Sequence, residues 1–252
     1  YYIMSNKLKI RKLKELDDEK LTLSRPINPI LPDITKRQLI LVLGGVATGK
    51  TTFLTNLLYN DDFYNNMFQI KYIISPSIYN DRSARAFRND ESSVLFDNYS
   101  NEIIDAIMDN QRLDEDSDFQ TQPFSLLLLD DCCDSRGAGN NNSKISQLCT
   151  RYRHLNLNII LSAQSINQGF SSLIRANARS VILKKLRNKK EYQKVIEQFG
   201  DLFGGDSNFN KMYKYVFNGK DDKYNFLYLN LDDMKVYKNF DELLYHDENL
   251  LI

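Results

Sequence analysis

Leu39-Ile40-Leu41-Val42-Leu43-Gly44-Gly45-Val46-Ala47-Thr48-Gly49-Lys50-Thr51 joins an unbroken apolar run to a glycine-rich turn and then to a helix-compatible segment. Consecutive aliphatic residues suit a strand buried on both faces of a parallel sheet, because a strand with one wet face alternates apolar with polar. The residues from Gly44 to Thr51 fit G-x-x-x-x-G-K-[ST], and they have the preceding strand and following helix that this motif requires. Glycines allow backbone N–H groups to close around phosphate oxygens, and a helix starting near Lys50 turns its positive end toward them. Gly44, Gly45, Val46, Ala47, Thr48 and Gly49 are therefore expected to cradle the phosphates of ATP, with Lys50 reaching the β- and γ-phosphates. Thr51 would place its hydroxyl on Mg²⁺, with Thr52 beside it in the first helical turn.

Outward from this stretch, further apolar runs occur at 70–75, 124–129, 158–162 and 180–183, separated by helix-compatible segments that include 51–59, 101–110 and 145–153. Short apolar strands alternating with helices predict an α/β domain with a mainly parallel sheet flanked by helices. Beyond residue 205 two aromatic runs, 213–217 and 224–229, flank Asn218-Gly219 and predict an antiparallel hairpin extending the sheet. The tail 238–252 is expected to be a short helix. The resulting division is a basic N-terminal arm and linker over 1–36, a P-loop core over 37–204, and a C-terminal extension over 205–252 packed on the core.

Three further positions complete the expected chemistry. The run 126–129 ends in Asp130-Asp131, so Asp130 is placed to hold Mg²⁺ and Asp131 to orient and deprotonate an attacking water. Gln164 follows the next apolar run, at the strand end where ligands of open parallel sheets lie, and its amide can address both water and a phosphoryl oxygen. Between them Arg153, with Arg151 and Arg175 as alternatives, is a candidate guanidinium supplied to a neighbouring subunit's phosphates. His154 reads as a packing or capping residue.

Composition narrows the field without naming a function. Thirty-three basic and thirty-three acidic residues cancel, so nucleic-acid affinity would have to come from local clusters. Candidates are the basic residues Lys7, Lys9, Arg11, Lys12 and Lys14 and the group Lys184, Lys185, Arg187, Lys189, Lys190 and Lys194, either of which could equally be a solvated face. Cys132, Cys133 and Cys149 fit neither a disulfide framework nor zinc spacing and read as reduced thiols. Apolar runs fall far short of the roughly 18 residues needed to span a bilayer, so no membrane partner is expected. Met4 reads as the natural start, and the acidic stretch 109–118 as a surface loop.

The P-loop at 44–51, the paired acids Asp130-Asp131, Arg153-His154 and Gln164, in that order, together resemble the genome-packaging ATPases of large DNA viruses and virophages, the poxvirus-type branch of the FtsK–HerA superfamily. The resemblance spans about 38–183 and implies a RecA-like P-loop NTPase sheet. It implies ATP phosphate binding by Lys50, Mg²⁺ ligation by Thr51 and Asp130, water activation by Asp131, phosphate sensing by Gln164 and a trans role for Arg153. It further implies a homo-oligomeric ring, pentamer or hexamer, that pumps double-stranded DNA into a viral capsid and works in the host cytoplasm, at the viral factory, or in the virion. Val46-Ala47-Thr48 departs from the small residues common in such loops, and Asp131 stands where many superfamily members have Glu. A small-molecule kinase would use the same loop but close an arginine-bearing lid, and a terminase would need a nuclease domain. The alternative of a different class is a nucleotide-dependent switch or assembly scaffold without DNA translocation.

Overall fold

The computed structural model describes residues 23, 25–112, 123–132, 140–219, 224–246 and 249–252. In chain order the elements are β1 (Leu39–Leu43), α1 (Lys50–Tyr59), β2 (Ile70–Ile74), α2 (Arg85–Arg88), β3 (Ser93–Phe96), α3 (Asn101–Asn110), β4 (Ser125–Asp130), α4 (Lys144–Arg151) and β5 (Leu157–Ala163). They continue through α5 (Ile166–Gly169), α6 (Ser172–Asn177), β6 (Ser180–Leu183), α7 (Lys189–Phe199), α8 (Gly205–Phe217), β7 (Leu227–Asn230), β8 (Lys235–Lys238), β9 (Glu242–His246) and β10 (Asn249–Leu250).

The strands form one ten-stranded sheet in the order β10-β9-β8-β7-β6-β1-β5-β4-β2-β3. From β6 to β3 every pairing is parallel, and from β6 to β10 every pairing is antiparallel. Strand β1 lies between β5 and β6, with Leu39 opposite Ile159 and Ile40 opposite Ser180. All five of its residues are buried. Side chains alternate across a strand, so Leu39, Leu41 and Leu43 join one core with α3, α4, α6, α7 and α8, while Ile40 and Val42 join another with α1 and α2. This two-sided burial is what the unbroken aliphatic run encodes.

The C-terminal region departs from expectation in detail. Residues 213–217 are the last turns of α8, not a strand: Phe209, Met212 and Val216 are buried at helical spacing, and Tyr213 packs tilted against Tyr192 of α7 with ring centroids 4.4 Å apart. Tertiary packing along one face of the helix outweighs the β-propensity of Tyr, Val and Phe. The antiparallel extension instead runs through β7 to β10, so the tail expected to be helical is strand over Glu242–His246 and Asn249–Leu250. Val236, Leu244 and Tyr245 close that edge of the core. Strand β3 and helix α7 were not anticipated; β3 is a short, half-exposed sheet edge, and α7 is capped by the Asn188 side chain accepting from the Lys190 N–H.

Leu31 and Ile34, in the stretch expected to be linker, are core residues, and the Tyr64 hydroxyl donates to the Pro32 carbonyl at 2.6 Å. The basic residues 7–14 and Cys133 lie outside the described residues, as does most of the acidic stretch 109–118, of which Asp109 pairs with Arg112 at 2.9 Å. Cys132 and Cys149 are buried thiols, and the Cys132 Sγ donates to the Ile74 carbonyl at 3.0 Å. Among the described residues no helix is long and apolar enough to cross a membrane.

Candidate nucleotide site

At the carboxyl end of β1 the chain must turn sharply into α1. Gly44 is required there by close approach, since a Cβ would meet Lys184 Cβ at 2.6 Å and Thr48 Oγ1 at 2.8 Å. Gly49 is required by conformation, with φ +80° in the left-handed region immediately before Lys50. Ala47 is also left-handed (φ 57°), and the Thr48 hydroxyl donates to the Gly45 carbonyl at 2.8 Å. The larger side chains of Val46-Ala47-Thr48 are thus accommodated: Val46 points outward, 63% exposed, and Thr48 braces the loop from within. Backbone N–H groups in such a turn, followed by a helix N-terminus, form an anion-binding concavity.

Hydrogen bonds of the sheet bring the other functional residues to the same edge. Gly44 N donates to the Ala163 carbonyl at 3.2 Å, which seats Gln164 beside the loop. Asp130 pairs in register with Ser162, which places Asp131 beside the segment leading to Gln164. Asp131 has φ 52°, so the chain leaves β4 through a left-handed residue. Its Oδ1 lies 3.4 Å from Lys50 Nζ, and its Oδ2 accepts from Gln164 Nε2 at 3.5 Å. Lys50, only 6% exposed, also donates to the Gly44 carbonyl at 3.2 Å.

Thr51 Oγ1 donates to Asp130 Oδ2 at 3.0 Å across the intervening strand β5. Asp130 is buried, and burial raises its carboxyl pKa. Its second oxygen, Oδ1, has no hydrogen-bond partner among the described residues. A buried carboxylate with one orphaned oxygen beside a threonine hydroxyl is an oxygen donor set that fits Mg²⁺, whose charge would offset the cost of burying the anion.

P-loop residues, Asp131, Gln164, Asp81, Ser83 and Tyr224 line a cleft of about 320 Å³. Asp81, Ser83 and Tyr224 were not foreseen, for none carries a motif. The turn bearing Ser83 is held to α1 by Thr55 Oγ1 donating to the Ser83 carbonyl at 2.8 Å. A larger cavity of about 510 Å³ lies at the opposite edge, beside Pro26, Asp33 and Tyr228, away from the phosphate loop.

None of the three candidate arginines reaches this cleft. Arg153 is exposed in the turn Tyr152–Leu155 ahead of the amino end of β5, with its guanidinium 6.0 Å from the Tyr152 ring centroid. Arg151 is exposed at the end of α4. Arg175 is held by the Phe170 carbonyl and by Gln198 Oε1 at 2.9 Å. Arg151 and Arg153, at the end of α4 and in the turn that leads into β5, stand at the amino ends of the parallel strands, opposite the P-loop. His154 is exposed, not packed.

The basic group after β6 is divided. Lys189 and Lys190 are exposed in the first turn of α7, and Lys194 pairs with Glu191 at 2.7 Å. Arg187 flanks Gly45. Lys184 is buried, 1% exposed, and cannot form part of an open basic face; its Nζ donates to the Tyr224 carbonyl at 2.9 Å and sits 5.8 and 5.5 Å from the Phe53 and Phe226 ring centroids. Burial pulls its pKa down to about 8. An unfolded lysine titrates near about 10.4, so between these values the unfolded chain holds more protons and stability from this group rises with pH. The stability of the protein relative to Lys184→Met should therefore increase by on the order of 2 kcal/mol from pH 8 to 10 and stay flat below pH 8, measured by urea unfolding. A pH-independent difference would show that Lys184 is not desolvated.

No family model matches the chain, and no curated protein matches it. Solved structures do. The genome packaging NTPase B204 from Sulfolobus turreted icosahedral virus 2, in complex with ATP-gammaS, superposes with a TM-score of 0.57 at 13% identity, over 81% of this chain and 96% of that one. The same protein in complex with sulfate gives 0.56 at 15% identity, over 84% and 99%. B204 from Sulfolobus Turreted Icosahedral Virus, described as a DNA-packaging ATPase, gives 0.54 at 13%, over 79% and 95%. The fold is that of the P-loop NTPases. At this identity the likeness carries the architecture, and the chemistry rests on the residues of the cleft.

Proposed function

We propose that the chain is an Mg²⁺-dependent ATPase that moves double-stranded DNA into a viral capsid, with ATP hydrolysed at the interfaces of a homo-oligomeric ring of five or six subunits. The observation that carries the hydrolytic part is the convergence of Lys50, Asp131 and Gln164 on a cleft that Thr51 also lines, with the buried Asp130 behind it hydrogen-bonded to Thr51. Lys50 and the loop N–H groups bind the phosphates, Thr51 and Asp130 would hold Mg²⁺, and Asp131, steadied by the Gln164 amide, takes the proton of the attacking water. Mg²⁺, when bound, supplies neutralisation of charge on the phosphoryl oxygens. Asp131 and Gln164 both line the cleft, which favours turnover over a slow switch or scaffold.

A catalytic role for Arg153 requires a ring, because from the turn before β5 its guanidinium can meet phosphate only in a neighbour. The packaging role and a place in the poxvirus-type branch are supported by the motif order and by the likeness to packaging NTPases over nearly their full length. The corresponding setting is the host cytoplasm, at the viral factory, or the virion.

The test is the steady-state ATPase rate with and without double-stranded DNA, at low and moderate salt. Several-fold stimulation that fades with salt is expected for a motor contacting phosphates; a flat, low rate would leave the switch reading. Arg153→Ala should bind ATP normally yet lose turnover, and mixing it with Lys50→Ala subunits should restore part of the rate, since hybrid interfaces then combine an intact P-loop with an intact Arg153. Failure of that complementation would remove Arg153 from the site.

A further inference from the structure

We propose that Glu191 is a positioning residue for ATP hydrolysis: from α7 it fixes the segment that presents the Gln164 amide to Asp131 and the attacking water. The proposal rests on reading Gln164 as a hydrolytic group and adds what keeps that group in place.

Gln164 stands between two anchors. Before it, the Ala163 carbonyl accepts from Gly44 N at 3.2 Å, which ties the end of β5 to the P-loop. After it, the Ile166 N–H donates to Glu191 Oε2 at 3.1 Å, which ties the start of α5 to α7. The second anchor answers a local need. Ile166 opens a four-residue helix, whose first N–H groups have no intrahelical acceptor, and the Ser165 side chain makes no cap hydrogen bond. Ile166 is also buried, so water is a poor substitute for the missing acceptor. A carboxylate 25 residues further along the chain fills that role.

Glu191 is itself held. Its side chain is 14% exposed, and Oε1 accepts from Lys194 Nζ at 2.7 Å, one turn along α7, which leaves Oε2 for Ile166. Burial alone would raise its carboxyl pKa, but the Lys194 ammonium and the Ile166 N–H outweigh that and bring it below the ordinary value, so the acceptor is a carboxylate at neutral pH. Gln164 depends on such anchors because its contact with Asp131, 3.5 Å from Nε2 to Oδ2, is too long to fix the amide by itself. Glu191 does not line the cleft, so it acts through Gln164 and not on the nucleotide.

Misplacing a reacting group by about 1 Å costs on the order of 100-fold in rate, and releasing one of two anchors is expected to cost about ten-fold. The experiment is steady-state ATPase and equilibrium ATP binding on the full chain, for Glu191→Ala, Glu191→Gln, Gln164→Ala and the double variant Gln164→Ala with Glu191→Ala. Glu191→Ala should lower kcat about ten-fold and keep ATP affinity within about two-fold, because Lys50, Thr51 and the loop are untouched. Glu191→Gln, whose amide oxygen still accepts from the Ile166 N–H, should retain most of the rate. In the Gln164→Ala background, Glu191→Ala should add less than about two-fold, since no amide is left to position. The full loss in that background, or weakened ATP binding in Glu191→Ala, would make Glu191 a general structural support and overturn the proposal. An unchanged kcat in Glu191→Ala overturns it too, as does a Glu191→Gln variant no better than Glu191→Ala. Turnover by Gln164→Ala at the unaltered rate would instead refute the reading of Gln164, on which this one rests.

Discussion

Asp131→Asn is expected to lower the steady-state ATPase rate about 100-fold or more while leaving ATP affinity undiminished. The substitution keeps the shape of the side chain at the left-handed position after β4 but removes the group that can accept a proton from water. It also removes the carboxylate that lies 3.4 Å from Lys50 Nζ. Lys50 is then shared only with the carbonyls of Gly44 and Gly45 among these partners, so phosphate has less to displace, and the dissociation constant should hold or fall. Equilibrium binding together with single-turnover phosphate release separates the two effects. A rate within several-fold of the unaltered protein would place water activation on another group, and a large loss of affinity would make Asp131 a structural partner of Lys50.

Lys50→Ala should produce the opposite pattern, weakening ATP at least about 100-fold, a loss of about 2.7 kcal/mol. Two terms add here. The ammonium that would meet the β- and γ-phosphates is gone, and the Asp131 carboxylate is left without its cation in the cleft where the phosphates must bind. The second term can be isolated. In the double variant Lys50→Ala with Asp131→Asn the repulsion is absent, so part of the lost affinity should return, and a double-mutant cycle reads the coupling between the two side chains. Binding by Lys50→Ala within ten-fold of the unaltered protein would mean that Lys50 is not a phosphate ligand.

The glycine-rich loop was legible because its conformation is set locally. Gly49 needs a positive φ, Lys50 starts the helix, and β1 is announced by five adjacent aliphatic residues; none of these depends on distant chain. Asp130-Asp131 and Gln164 were legible for a related reason, since a buried strand that ends in a polar residue places it at the ligand edge of a parallel sheet. The local signal misled at 213–217, where Tyr, Val and Phe favour a strand in isolation but Phe209, Met212 and Val216 share a helical face against the core. It also misled at Lys184, which reads as one basic residue among several until α1 and the segment entering β7 bring Phe53 and Phe226 against its side chain.

By itself, then, the sequence determined the parallel core and the glycine-rich turn, together with the acids and the amide at neighbouring strand ends. Backbone conformation and short-range periodicity suffice for these. Only the tertiary structure decided which aromatic stands beside Gly49, which lysine is buried behind the loop, and that Arg153 lies at the edge opposite the P-loop. Those outcomes follow from strand order and from burial against remote elements, energies that arise between residues far apart in the chain and leave no periodic trace along it.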